Sequence, residues 1–164
     1  MAFRGQHFFS CSGADIKKER TVTFENVPKN ISDAFSKHHP HIKTNFHLQD
    51  LSGVQSYEVH FQVDGKEISE RYSLNGEIIE RERQLNWADL PEKVRTKMEN
   101  FLKGHDGDYS VQDTQEVKSE GFSGYEAKVR TKKSRTYLME YFFNSDGSIN
   151  HQEEVKLESI PTLN

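Results

Sequence analysis

The sequence predicts an α+β protein made of two tandem repeats, each a helix packed on a four-stranded antiparallel sheet. Three observations predict it. A proline-led helical pattern recurs 63 residues further on, runs of strict apolar–polar alternation follow each helix, and hairpin-turn dipeptides separate those runs.

The helices come first in each unit. Val27-Pro28-Lys29-Asn30-Ile31-Ser32-Asp33-Ala34-Phe35 is matched by Leu90-Pro91-Glu92-Lys93-Val94-Arg95-Thr96-Lys97-Met98. Proline suits the first helical turn, where its missing N–H costs no hydrogen bond. Ile31, Ala34 and Phe35, and Val94, Met98, Phe101 and Leu102, recur at three- and four-residue spacing, which gives each helix one apolar stripe. His39-Pro40 predicts the end of the first helix and Lys103-Gly104 the end of the second.

Strands follow. Tyr57, Val59, Phe61 and Val63 alternate with Glu58, His60, Gln62 and Asp64, as in a strand covered on one face. Asp64-Gly65 and Asn75-Gly76 are hairpin signals on either side of Ile68, Glu70, Tyr72 and Leu74, and Ile78-Ile79 opens another strand. In the second unit Tyr125, Ala127 and Val129 alternate, Lys132-Lys133-Ser134 makes a turn, and Tyr137, Met139, Tyr141 and Phe143 run up to Asp146-Gly147. Residues 42–48 and 109–117 supply the first strand of each sheet. The organisation is a flexible arm over residues 1–20, units over 21–86 and 87–158, and a tail over 159–164. The short link 84–89 keeps the units close and leaves open whether the two sheets form one curved sheet.

This architecture accounts for an unusual composition. Of 164 residues only 33% are hydrophobic while 11% are aromatic, and the mean hydropathy is −0.87. Thin one-sided cores concentrate Tyr and Phe, and the opposite sheet faces are expected to stay wet. No apolar run approaches the roughly 20 residues of a membrane-spanning helix. A net charge of −4 with dispersed Lys and Arg argues against the usual nucleic-acid footprint. One cysteine excludes an intramolecular disulfide framework and a thiolate zinc cluster.

The ordered set Val27-Pro28, Ala34-Phe35, His39-Pro40, Tyr57-Glu58-Val59, Phe61, Asp64-Gly65-Lys66-Glu67 and Tyr72-Ser73-Leu74-Asn75-Gly76-Glu77-Ile78 resembles the PepSY-like family. Leu90-Pro91, Val94, Tyr125-Glu126-Ala127 and Phe143-Asn144-Ser145-Asp146-Gly147-Ser148-Ile149 match it a second time, so the resemblance spans residues 27–155. It implies an exported bacterial protein with a fold like that of the β-lactamase inhibitor proteins. It also implies a periplasmic or cell-envelope location, and a role in regulating or inhibiting peptidases by analogy. It supplies no catalytic residues. The chain departs from the family at residues 132–135, where the second hairpin is broken, and in showing no export signal.

Motifs for other chemistries are weak. His38, His39 and His41 form the densest set of potential metal ligands, but neighbouring side chains at a helix end diverge, and imidazoles there also suit the helix dipole. Residues 144–153 imitate part of a calcium loop with Phe142 at the first ligand position, which reads as a hairpin turn instead. Glu77, Glu80 and Glu82, and Glu153-Glu154, are candidate carboxylate sets. The alternating Glu80-Arg81-Glu82-Arg83 describes a solvated strand with cross-strand ion pairs rather than a catalytic cleft. Cys11 lies in the arm, as a lipid attachment point or as a thiol without chemical role. No enzyme and no cofactor are expected.

The remaining signal favours binding. Tyr137-Leu138-Met139-Glu140-Tyr141-Phe142-Phe143 is apolar on both faces, so Leu138, Glu140 and Phe142 point away from the helix as candidates for contact with a protein or peptide. Phe3, Phe8 and Phe9 of the arm are the alternative cover for that surface. The leading expectation is a non-enzymatic protein- or peptide-binding module. A lipoprotein spacer ectodomain and a metal or ligand sensor at His38–His41 are the alternatives.

Overall fold

The computed structural model describes residues 16–51, 53–131 and 137–156. In chain order these form β1 (Ile16–Val22), α1 (Lys29–His38), β2 (Phe46–Leu51), β3 (Val54–Val63), β4 (Lys66–Ser73) and β5 (Ile78–Gln84). They continue with α2 (Glu92–Asp106), β6 (Tyr109–Ser119), β7 (Phe122–Thr131), β8 (Tyr137–Asn144) and β9 (Ile149–Lys156). The nine strands pair antiparallel in strict sequence order in one sheet, so the halves join edge to edge through β5 and β6. The fold class is α+β.

Both helices lie on the same sheet face, one in the β1–β2 connection and one in the β5–β6 connection. A 3-10 turn leads into each, Phe24–Asn26 before α1 and Trp87–Asp89 before α2. Ile31 and Phe35 of α1 pack on Phe46, Val59, Phe61 and Tyr72. The Phe35 ring meets Phe46 and Phe61 edge-on at 5.3 and 5.4 Å. Val94, Met98 and Leu102 of α2 pack on Ala127, Val129, Tyr141 and Phe143. There are two cores under one sheet, each set by one helical stripe.

Three expectations are corrected. The segment expected to be an arm up to residue 20 contains most of β1, whose Val22 is buried against α1. Its run of charged residues, Lys17-Lys18-Glu19-Arg20, hides a strand that draws its order from pairing with β2. Helix α2 also runs past Gly104, because Leu102 and Asp106 continue the buried stripe and Gly107, at φ 73°, caps the end. Most consequentially, the sheet face away from the helices is not wet.

Candidate binding face

Strand alternation and register place a continuous polar grid on the face opposite the helices. The pairs Gln49↔Ser56, Glu58↔Arg71, Arg71↔Glu80, Glu82↔Val117, Gln115↔Glu126, Lys128↔Glu140 and Phe142↔His151 carry it from β2 to β9. No described helix packs here, yet Gln49, Ser56, Glu58, Arg71, Glu82, Glu126, Lys128 and Glu140 are all buried. Burying so many ionisable groups is costly unless they are paired.

They are paired in two clusters. In the first half, Glu58 accepts hydrogen bonds from the Gln49 amide and from the Ser69 hydroxyl at 3.1 Å, and lies 3.4 Å from His60 Nε2. Arg71 lies between Glu58 at 3.7 Å and Glu80 at 3.0 Å. Burial opposes ionisation of Glu58, but His60, Arg71 and Ser69 outweigh it and hold the carboxyl below its usual range. Glu80 is held above that range by burial, with Glu58 and Glu126 adding repulsion that Arg71 only partly offsets.

In the second half, Lys128 Nζ stands 3.2 Å from Glu126 and 3.6 Å from Glu140. Burial, with the charge of Glu126, pushes the Glu140 carboxyl up to about 7 despite Lys128. At the rim, the Phe142 ring stacks on His151 at 4.2 Å and meets Phe122 edge-on at 6.1 Å.

Leu138, Glu140 and Phe142 thus lie on the expected face, together with the second cluster, but they are not open contact residues. Leu138 and Phe142 are each 5% exposed and Glu140 is 1% exposed. Glu82 is likewise buried rather than solvated, although the cross-strand ion pairs Arg71–Glu80 and Arg81–Glu70 do form. Exposed Glu77 stands apart from them. Cys11, Phe3, Phe8, Phe9 and the turn at 132–135 lie outside the described residues.

The histidine run divides. His39 turns inward: its ring packs at 4.4 Å on Phe61 and its Nε2 lies 3.1 Å from Glu70. His38 and His41 are exposed. Among the described residues no three His, Cys, Asp or Glu side chains converge as a metal site. Residues 144–149 form the β8–β9 turn, where Lys97 binds Asp146 at 2.8 Å. Among the described residues no helix is long and apolar enough to cross a membrane.

The fold has solved counterparts. A DUF2874 family protein of Bacteroides uniformis matches with a TM-score of 0.66 at 16% identity, over 82% of this chain and 94% of that one. A BLIP-like protein of Bacteroides fragilis matches with a TM-score of 0.55 at 20% identity, over 80% and 89%. A Bacteroides eggerthii protein provisionally assigned to the periplasm matches with a TM-score of 0.61 at 15% identity, over 79% and 90%. The chain has a BLIP-like fold. No family model and no curated protein matches it.

Sequence reasoning missed Glu58, Arg71, Glu126 and Lys128. A signal was available, because the two-residue Asp64-Gly65 hairpin sets Val63 opposite Lys66 and so Glu58 opposite Arg71.

Proposed function

We propose that the protein is a non-enzymatic binding module of the bacterial cell envelope, of PepSY-like type, which engages a protein or peptide through the sheet face opposite its helices. One observation carries the reading: a face that spans both halves, and on which no described helix packs, carries preorganised polar groups, with the Phe142–His151 stack at its rim. Ordered, fully positioned side chains on a rigid sheet suit recognition. The buried carboxylates are tied into ion pairs and hydrogen bonds, an arrangement that suits a contact surface better than a reaction centre. The resemblance at residues 27–155 and the fold shared with a BLIP-like and a provisionally periplasmic protein support the envelope setting and regulation of a peptidase as the form of binding.

Affinity capture from an envelope extract tests this. The wild type and a helix-face variant, Lys93→Glu, should retain the same partner, while His151→Ala combined with Phe122→Ala should lose it at an unchanged melting temperature. Loss with Lys93→Glu instead would move the binding face to the helices.

A further inference from the structure

The outer face is closed, and no described element packs over it. Lys128 and Glu140 are each 1% exposed, and the apolar Val117, Leu138 and Phe142 of the same face are 2, 5 and 5% exposed. These apolar side chains point away from both helices, and neither helical core includes them. Side chains of a sheet stand perpendicular to it, so cross-strand neighbours flank them and leave their tips open. Sealing the tips across a whole face takes a second layer. The buried patch runs from Gln49 on β2 to Leu138 on β8, while both helices lie on the other side.

Reach selects what covers it. Residues 1–15 precede β1, the edge strand beside β2. Fully extended, fifteen residues span about 50 Å. Strands about 4.8 Å apart put β8 only about 34 Å from β1. Residues 157–164, beyond β9, reach at most about 29 Å. That falls short of Gln49 on β2, about 34 Å from β9. Residues 1–15 also match the patch in chemistry. Phe3, Phe8 and Phe9 supply apolar area, and the segment holds Arg4 and no carboxylate side chain before Asp15. The face it would meet carries Glu58, Glu80, Glu82, Glu126 and Glu140 against Arg71, Lys128 and Arg130.

We propose that residues 1–15 lie across the strands as the second layer of the outer face, with Phe8 and Phe9 at Val117 and Phe3 at Leu138. A partner that uses this face must displace them. The cover follows from burial and reach, whereas its control of access rests on the outer face being the binding face.

Isotope-edited NMR on the full chain tests it. Ring protons of Phe8 or Phe9 should give cross-peaks to the Val117 methyls, and those of Phe3 to the Leu138 methyls, within one molecule. Phe8→Ser with Phe9→Ser should move the Val117 methyl signals, leave those of Ile31 and Met98 in place, and bind an envelope partner about tenfold tighter or more. No cross-peak from residues 1–15 to the outer face overturns the proposal. Cross-peaks from Leu157, Ile160 or Leu163 instead would make the tail the cover, and cross-peaks only between differently labelled copies would make it a second molecule. Both results overturn the proposal. Unchanged affinity in the variant would overturn the control of access. Should a partner shift the His151 ring signals of a chain that lacks the Phe cross-peaks, the binding face stands and the cover falls. Should the cross-peaks be present while neither wild type nor variant captures a partner, the cover stands and the binding reading falls.

Discussion

The Tyr72 hydroxyl donates a 2.5 Å hydrogen bond to Glu70, a carboxylate 1% exposed at the edge of the first core. His39, which caps α1, lies 3.1 Å from the same group, and Arg81 pairs with it from β5. The second core repeats the device with other residues. There the Tyr141 hydroxyl donates to Asp106 at 2.6 Å, and His105 Nδ1 lies 3.2 Å from that carboxylate at the end of α2. A carboxylate at a helix C-terminus is disfavoured by the helix dipole, so the phenol offsets part of that cost. Each helix end is therefore fastened to the sheet by a tyrosine–carboxylate–histidine set. Tyr72→Phe and Tyr141→Phe should each cost about 1.5 to 3 kcal/mol in urea unfolding, the usual worth of a hydrogen bond to a charged group. A loss under 0.5 kcal/mol (about the effect of a neutral surface change) would show that the sets do not fasten the helices.

The far hairpins hold the other helix ends. Gly76 follows β4 and Gly147 follows β8, at φ 85° and 83°. A Cβ on Gly76 would fall 2.9 Å from the Asn30 carbonyl oxygen, and one on Gly147 would fall 2.8 Å from that of Val94. Both clashes are with backbone, and the positive φ adds strain of about 1 kcal/mol. Gly76→Ala and Gly147→Ala should each lower the melting temperature by several degrees, with a cost above about 1 kcal/mol. An unchanged melt would mean that the turns are not seated on the helices.

Arg71 occupies the centre of the first outer cluster, 7% exposed between Glu58 and Glu80. Arg71→Ala leaves the buried Glu58 and the half-buried Glu80 without their shared cation and should cost about 3 to 5 kcal/mol. Adding Glu58→Gln to it should return part of that loss. Strictly additive losses in a double-mutant cycle would show that the two residues are energetically independent.

Much of this fold is legible from the sequence, because proline-led stripes, period-2 strands and Asp-Gly or Asn-Gly turns are local patterns with local causes. Val27-Pro28 and Leu90-Pro91 mark the helix starts within a residue or two. What failed was non-local. Lys17-Lys18-Glu19-Arg20 carries no apolar alternation, and β1 forms only because β2 offers a partner edge. Gly104 signals a helix end that Leu102 and Asp106 override by burial. The candidate face was legible in placement but not in environment. Alternation put Leu138, Glu140 and Phe142 opposite the helix, whereas no local pattern marks their burial.

Titration of the outer face follows from those pairings. Glu140 has a folded pKa of about 7 against an ordinary value of 4.5, so between these values the folded chain holds a proton that the unfolded chain has lost. Stability should therefore rise as pH falls from about 7 toward 4.5, by up to about 3 kcal/mol from this group. Below 4.5 the direction reverses. Glu58 and Glu70 are held below their usual range, so their contribution is present above about 4.5 and is lost as they protonate in the folded state. In Glu70, the bonds from Tyr72, His39 and Arg81 overcome the opposing effect of burial. Urea midpoints of the wild type and Glu140→Gln, measured from about pH 8 to pH 4, separate these effects. The variant should be the more stable chain at pH 8, and its advantage should shrink toward zero near pH 5. A difference that does not change with pH would place the Glu140 carboxyl in its ordinary range and remove it as the source of the neutral-pH slope.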